Sequence, residues 1–239
     1  MTGARSGQNA VVGDTGAATG QTNFLAELPP AEAEELRRCG TRRRFAAGTT
    51  LFIEGDPAHD VLMLLDGKVK ISVGSVDGRE VILDVLGPGA LLGELSVIDG
   101  GARSATVITL SAVEVLAIPA DRFNEFLDRH PSVLRSLVVE VIGRLRIRTR
   151  HQMEFGTGDA LGRVCARLAE MAERYGQDED GQVTLSSPVS QADLAAWTGL
   201  SRVAVVKVLR VLRELGWIEN RGRAIVIREL DQLRHRATR

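Results

Sequence analysis

Residues 93 to 107, GELSVIDGGARSATV, place four groups with ligand-binding chemistry in one short segment. Gly93 lets the backbone approach a ligand closely because it has no side chain. Glu94 accepts hydrogen bonds from sugar hydroxyls, Arg103 offers a planar pair of donors to a phosphate, and Ser104 adds a hydroxyl. This segment therefore has the polar groups needed to bind a sugar joined to a phosphate.

A second segment, residues 190 to 219, has the pattern of two helices that read DNA. Ser190 opens the first helix, and Asp193 follows three residues later, close to a capping box. Gly199 ends this helix, and Ser201 caps the next one, RVAVVKVLRVLREL. A sugar-phosphate pocket and a DNA reader on one chain suggest a transcription factor controlled by a ligand.

The charge distribution supports a DNA-binding C-terminal part. The net charge is −1, but residues 188–239 hold ten Lys and Arg against five Asp and Glu, whereas the remainder holds twenty against twenty-six. A basic part on an acidic body is expected of a DNA-binding module. A solvated helical face carries similar charge, so the distribution supports this assignment without deciding it.

The composition, with 44% hydrophobic residues in 239, is typical of a globular protein with one large domain or two small ones. No apolar run is long enough to span a membrane and the polar N-terminus does not resemble a signal peptide, so we expect a cytoplasmic protein without membrane contact. Cys39 and Cys165 are too few for a disulfide framework, and the cysteines and histidines lack metal-ligand spacing. No nucleophile–base constellation or P-loop is found, so we expect no enzymatic activity.

The N-terminal half predicts a tail followed by a β-domain. Residues 1–22 are rich in Gly, Ala and Thr and predict a disordered tail. Residues 23–130 begin with a short helix, and then short β-favouring runs alternate with turns such as Asp66-Gly67 and Asp77-Gly78. Many short, closely spaced strands predict an antiparallel roll or barrel. We expect a short helix in the longest interruption, which contains Glu94.

The C-terminal half predicts helices. Residues 131–158 predict a long helix and a hinge at Gly156-Thr157-Gly158. Residues 159–239 predict a small domain whose first helix is N-capped by Asp159 and which has a hairpin near its C-terminal end. A four-three spacing along the long helix favours a homodimeric coiled-coil seam, although a solitary amphipathic helix has a similar stripe. The seam positions are Leu134, Val138, Val141 and Leu145, continued by Arg148, Gln152 and Phe155.

Together these features resemble the CRP/FNR family of bacterial transcription regulators, in its cyclic-AMP receptor branch. The motifs that carry the resemblance are Gly93-Glu94-Leu95 with Arg103-Ser104-Ala105, and Gly199-Leu200-Ser201-Arg202. The match covers roughly residues 25 to 235 in the same order of elements. It implies an α+β fold with an N-terminal antiparallel β-roll that binds a cyclic nucleotide, a long dimerisation helix and a C-terminal winged helix-turn-helix.

The resemblance also implies a nucleotide site. Arg103 would pair with the cyclic phosphate with help from Ser104, Glu94 would bind the ribose 2′-hydroxyl, and the base would lie against the long helix. The positions that match the site are Gly93, Glu94, Leu95, Ser96, Arg103, Ser104, Arg144, Arg148 and Thr149. An alternative is that Arg103 and Glu94 form an internal salt bridge that stabilises the roll.

One matching position departs from the family pattern. The cyclic-AMP receptor has a threonine-serine pair that contacts adenine, and this chain has Arg148-Thr149. The Arg148 side chain only donates hydrogen bonds, so the adenine amino group would find no acceptor on Arg148, whereas a guanine carbonyl would accept from it. The resemblance implies cyclic AMP (cAMP) as the ligand, and the departure leaves cyclic GMP (cGMP) or an atypical nucleotide open.

The resemblance places the DNA contacts at two helix starts. The matching positions are Ser190, Gln191, Ser201, Arg202, Val203 and Lys207. Arginine at the position of Arg202 typically binds guanine through O6 and N7, which is worth about 1–3 kcal/mol of discrimination. Val203 replaces an acidic residue that reads cytosine, and it can contact only a thymine methyl. The serines suit phosphate contacts as well as capping.

The implied partners are a palindromic double-stranded DNA operator, a second copy of the chain and RNA polymerase. Nucleotide binding would act through the long helix and the hinge on the spacing of the two reader helices, which DNA requires to be about 34 Å apart. A regulator of the same fold that acts with another nucleotide, or without any ligand, is the alternative.

Overall fold

The computed structural model describes residues 24–75, 78–157, 159–179, 181–185, 189–222 and 224–238, without the side chains of residues 150–157 and 179. The predicted tail, Asp77 and Gly158 therefore lie outside the described residues. Eight short strands, rich in the Val, Ile and Leu that suit a half-buried pleated surface, form the N-terminal domain. They are β1 (Thr41–Phe45), β2 (Thr50–Phe52), β3 (Asp60–Asp66), β4 (Val69–Gly74), β5 (Glu80–Leu86), β6 (Leu91–Leu92), β7 (Thr106–Thr109) and β8 (Val113–Pro119).

These strands form two four-stranded antiparallel sheets, in the orders β1-β8-β3-β6 and β2-β7-β4-β5, which confirms the predicted roll. The short helix predicted at the start of this domain is α2 (Pro30–Arg38), and one further turn, α1 (Phe24–Glu27), precedes it and inserts Phe24 into the core. The short helix expected between the strands is α3 (Glu94–Asp99).

The long helix is α5 (Pro131–Thr157), which follows the shorter α4 (Ala120–Arg129). It continues through Gly156 and Thr157, so two of the three predicted hinge residues are helical, because a glycine within a helix weakens it without having to end it. One face of α5 packs on the roll through Val133 and Leu137. Seam positions form another apolar face, which is 39 to 62% exposed at Leu134, Val138 and Leu145.

The C-terminal winged domain begins at α6 (Ala160–Tyr175), whose N-cap Asp159 accepts from the Gly162 amide at 2.7 Å as predicted. The two helices predicted to read DNA are α7 (Gln191–Thr198) and α8 (Arg202–Glu214), with the predicted Ser190–Asp193 capping box and Ser201 cap. A four-stranded antiparallel sheet and a last helix complete the winged domain. These are β9 (Gln177–Glu179), β10 (Gln182–Leu185), β11 (Ile218–Arg221), β12 (Ala224–Ile227) and α9 (Leu230–Ala237).

The winged domain packs directly on β4 and β5 of the roll, a contact that we call the roll–wing junction. Arg174 Nη1 lies 2.7 Å from Asp84 Oδ1, the Tyr175 hydroxyl donates to the Val85 carbonyl at 2.7 Å, and Lys70 Nζ lies 2.9 Å from Asp193 Oδ1. Although burial disfavours the cation, Asp84 and then Glu170 raise the pKa of Arg174 above its ordinary value. The junction therefore joins the two domains through buried charges.

Candidate functional site

A cavity of about 150 Å³ opens in the roll beside α3 and α5. It brings together eight of the nine predicted nucleotide-site residues; Thr149 is the exception. The lining residues are Phe52, Ile71, Leu83, Leu91, Leu92, Gly93, Glu94, Leu95, Ser96, Arg103, Ser104, Ala105, Val107, Arg144 and Arg148. Apolar walls with a few convergent polar groups are typical of small-molecule sites.

Gly93 precedes α3 and has a left-handed backbone, with a φ of 81°. A Cβ at this position would lie 2.2 Å from Nη1 of Arg103 and 2.9 Å from the Phe52 ring. The Gly93 carbonyl in turn accepts a hydrogen bond from Arg103 Nη1 at 3.1 Å. Gly93 is thus required by both its backbone conformation and the closeness of the guanidinium.

Arg103 is only 5% exposed and is held by groups from three other elements. Its Nη2 donates to the carbonyl and to Oδ1 of Asp60, both at 2.8 Å, and its guanidinium carbon lies 3.6 Å from the centre of the Phe52 ring. Burial lowers the pKa of the Arg103 guanidinium and Asp60 opposes that shift, so the group remains a cation. The bonds to Gly93 and Asp60 leave Nε and one Nη1 hydrogen for an anion.

Glu94, which is 2% exposed, pairs with Arg144 of α5 and not with Arg103. Arg144 Nη1 lies 2.8 Å from Glu94 Oε1, and its Nη2 donates to the Leu91 carbonyl at 3.1 Å and pairs with Glu140. Although burial opposes it, the two carboxylates raise the pKa of Arg144. The alternative of an Arg103–Glu94 salt bridge is therefore wrong, because Arg103 pairs with Asp60 and Glu94 pairs with Arg144.

The two serines differ in their surroundings. Ser96 is buried, and its hydroxyl donates to the Ala102 carbonyl at 2.9 Å, which braces the loop after α3. Ser104 is exposed at the cavity wall and makes no side-chain hydrogen bond with another described residue. Leu95 follows Glu94 on α3 and contributes apolar surface to the same wall. Ser104 is thus the hydroxyl that an incoming phosphate can meet.

Arg148 and Thr149 lie on the exposed side of α5. Arg148 lines the cavity and forms no ion pair or hydrogen bond with another described residue, so its donors face the cavity and solvent. Thr149 donates to the Leu145 carbonyl at 3.0 Å, within its own helix. Arg148 is thus exposed within one protomer.

All six predicted DNA contacts lie at the surface of the winged domain. Arg202, Val203 and Lys207 are spaced so that they share one side of α8, while Val205 and Leu209 face the core. The Ser190 and Ser201 hydroxyls accept from the amides of Asp193 and Ala204, and Gln191 lies beside Ser190. Trp197, by contrast, is a core residue.

Sequence reasoning missed the groups that hold the pocket residues in place: Phe52, Asp60 and Glu140. Burial raises the pKa of the Cys165 thiol to about 12, and the residue belongs to the core of the winged domain. Within the described residues, no group of three or more His, Cys, Asp and Glu is arranged to hold a metal ion. None of the described helices combines the length and apolarity needed to cross a membrane.

Two protein families match the chain. The family described as cyclic nucleotide-binding domain matches residues 42–130, and the Crp-like helix-turn-helix domain matches residues 162–236. The CRP-like cAMP-activated global transcriptional regulator of Mycobacterium tuberculosis is 31% identical over 193 residues, which cover 81% of this chain and 86% of the relative. The cyclic AMP receptor protein of Thermus thermophilus is 29% identical over 202 residues, which cover 84% and 90%.

Solved structures agree with these matches. The c-di-GMP responsive global regulator CLP of Xanthomonas campestris has a TM-score of 0.73 at 25% identity, covering 83% of this chain and 99% of its own. A CRP/FNR family transcriptional regulator of Thermus thermophilus shares the fold with a TM-score of 0.69 at 24% identity, with the same coverage.

Proposed function

The chain belongs to the CRP/FNR family and is a cyclic-nucleotide-binding, helix-turn-helix transcription regulator; from that premise we propose that a cyclic purine nucleotide in the roll sets its affinity for a palindromic operator. The observation that carries this proposal is the cavity that gathers Arg103, Glu94, Ser104 and Arg148. The free donors of Arg103 and the Ser104 hydroxyl bind the cyclic phosphate, and Glu94 accepts from the ribose 2′-hydroxyl.

A homodimer is proposed from the exposed apolar face of α5. Besides the seam positions Leu134, Val138 and Leu145, that face also exposes Val139 and Ile142. A contiguous apolar stripe on a helix is stabilised when a second copy covers it. We further propose that the dimer acts on the bacterial chromosome with RNA polymerase, in the cytoplasm.

The base is proposed to lie against α5 near Arg148. The M. tuberculosis and T. thermophilus relatives are named for cAMP, which makes cAMP the first ligand to test. Arg148 donates hydrogen bonds, which the guanine carbonyl of cGMP can accept and the adenine amino group of cAMP cannot, so it raises the affinity for cGMP relative to cAMP.

Arg148→Thr tests this assignment. We expect the variant to shift the ratio of the two dissociation constants toward cAMP by about tenfold, because a hydroxyl accepts from the adenine amino group whereas arginine opposes it with another donor. Titration calorimetry with cAMP and cGMP measures the ratio. Arg146→Thr, at an exposed arginine two residues earlier, is the matched control, and an unchanged ratio in Arg148→Thr contradicts the assignment.

The route from pocket to DNA is proposed to run through β4 and β5. Ile71 and Leu83 of these strands line the cavity, and the adjacent residues Lys70 and Asp84 hold the winged domain. Successive strand side chains face opposite sides, so the hairpin presents one side to the nucleotide and the other to the roll–wing junction. The junction restrains the reader helices, and the nucleotide weakens that restraint.

The whole proposal is tested by measuring the affinity of the protein for a DNA duplex with and without saturating nucleotide. The duplex carries a site selected from a randomised library. We expect cAMP or cGMP to raise the affinity of the wild type at least about tenfold, since coupling between two sites is reciprocal and of this order. Asp84→Asn keeps Arg174 paired with Glu170, which lies 2.9 Å away, but removes the more deeply buried of the two ion pairs that cross the junction. This variant is expected to bind DNA more tightly without nucleotide, and so to lose most of the nucleotide effect.

Two outcomes would count against these proposals separately. If the wild type binds DNA with equal affinity with and without nucleotide, the nucleotide does not regulate DNA binding, and the ligand-independent alternative is favoured. A full nucleotide effect in Asp84→Asn would leave that control intact and remove the roll–wing junction from its route.

A further inference from the structure

We infer that Glu140 is a positioning residue that determines how Glu94 is presented to the sugar, an inference that rests on the proposed function. Glu140 is 1% exposed and lies on α5 one turn before Arg144 and one turn after the buried Leu137. A carboxylate in such a place is costly unless it is paired, and its partner here is the Arg144 guanidinium. No motif of the sequence points to this position.

The guanidinium of Arg144 is divided between two carboxylates. Its Nη2 is taken by Glu140 and by the Leu91 carbonyl, so that only Nη1 reaches Oε1 of Glu94, at 2.8 Å. The second oxygen of Glu94 accepts no hydrogen bond from any other described residue, and Glu94 lines the cavity. That second oxygen is therefore the acceptor available to a sugar hydroxyl.

Glu140 keeps this acceptor free by pairing with Nη2, one of the two terminal nitrogens of the Arg144 guanidinium. An arginine meets a carboxylate most favourably through two parallel hydrogen bonds, and charge-assisted bonds are roughly twice as strong as neutral ones. Without a charged group at position 140, Nη2 retains only neutral acceptors, among them the Leu91 carbonyl. The two donor nitrogens of Arg144 then turn to bind both oxygens of Glu94, and the second of these bonds competes with the sugar hydroxyl for the second oxygen.

The consequence is a specificity for the sugar that depends on a residue outside the cavity lining. Glu140 acts through Arg144 and Glu94, so its removal should affect only ligands that carry the 2′-hydroxyl. A merely structural role in packing α5 on the roll would affect ribose and deoxyribose ligands alike.

The test measures the dissociation constants of cAMP and 2′-deoxy-cAMP, and of the guanine pair in parallel, for the full-length dimer. We expect the wild type to prefer the ribonucleotide by about tenfold, the order of a hydrogen bond to a charged group. Glu140→Gln keeps the shape of the side chain and removes its charge, and it should reduce that preference at least threefold while leaving the affinity for the deoxy ligand within twofold. Glu125→Gln, at an exposed glutamate of α4, is the matched control and should retain the full preference.

A double variant and a shorter carboxylate sharpen the result. In a Glu94→Gln background, Glu140→Gln should change the ratio no further, because its only route to the sugar has been removed. If Glu140→Gln fails to fold, Glu140→Asp replaces it, since aspartate keeps the charge but withdraws the oxygen and should also reduce the preference.

Each failure has a different meaning. A wild type that binds none of the four ligands overturns the proposed function and this inference with it. A preference that Glu94→Gln abolishes but that both Glu140 variants retain overturns the role of Glu140 alone. Equal weakening of ribose and deoxyribose ligands shows that Glu140 only packs α5 against the roll, and a wild type without any ribose preference also overturns the inference.

Discussion

Replacing Arg103 with glutamine should weaken cyclic-nucleotide binding at least about 30-fold while the protein remains folded. Truncating one partner of a buried, hydrogen-bonded charge pair costs about 2–5 kcal/mol, and each 1.4 kcal/mol is a factor of ten. The fold tolerates the loss because Asp60, the partner left behind, has a side chain that is 30% exposed and can be hydrated. Titration calorimetry measures the affinity, and circular dichroism measures the melting temperature.

Arg43→Gln provides the matched control for this result. Arg43 is exposed on β1 and forms no ion pair with another described residue. Its replacement therefore removes the same charge from the same domain without breaking an ion pair within the described residues. If both variants lose affinity equally, the net charge of the roll matters and the contact with Arg103 does not. If Arg103→Gln binds as the wild type does, the phosphate lies elsewhere in the cavity or outside it.

The ligand-facing part of the pocket could be predicted from the sequence because it is local. Gly93, Glu94, Arg103 and Ser104 lie within twelve residues of chain, so one helix and one loop are enough to bring them together. Their supports are not local. Asp60 precedes Arg103 by 43 residues. A single acidic residue before an apolar run gives no indication in the sequence of which basic residue it pairs with.

Glu140 was missed for a related reason. Within the apolar run VVEVIG, a lone glutamate on a helix is typical of a solvated position, and helical periodicity does not say which face the roll covers. Only the packing of α5 places it at 1% exposure beside Arg144. The roll–wing junction is equally non-local, because Asp84 and Arg174 are ordinary members of a strand and a helix until the two domains meet.

The β-roll could be predicted from its alternating apolar runs, but β1 lacks that signal. Its sequence, TRRRF, is exposed at four of five positions, because β1 is an edge strand held to β8 by backbone pairing. Arg42 and Arg44 pair with Glu114 of β8 at 2.8 and 2.7 Å, which ties the charged strand to the sheet. Hydrophobic periodicity detects strands that contribute to a core, and this strand contributes mainly hydrogen bonds and surface charge.

Arg202→Ala should abolish most of the preference for the operator over unrelated DNA. Arg202 is exposed at the first position of α8, directly after the Ser201 cap, and alanine there retains the helix. A bidentate contact to guanine is worth about 1–3 kcal/mol in each half-site, so a dimer loses roughly 30-fold to 10⁴-fold in operator affinity. Fluorescence anisotropy with the selected operator, with single-base variants of it and with a scrambled duplex measures this loss.

The pattern across these duplexes distinguishes a base contact from a phosphate contact. If Arg202 reads a guanine, the variant becomes indifferent to the base at one position of each half-site, while its binding to scrambled DNA and the dependence of affinity on salt change little. A phosphate contact would weaken all duplexes alike and reduce the salt slope by about one unit per protomer. Arg210→Ala, two turns later on α8 at an arginine that pairs with Glu214 at 2.7 Å, is the matched control. It should keep the base preference, and a uniform loss in Arg202→Ala would therefore assign sequence reading to Val203 and Lys207 instead.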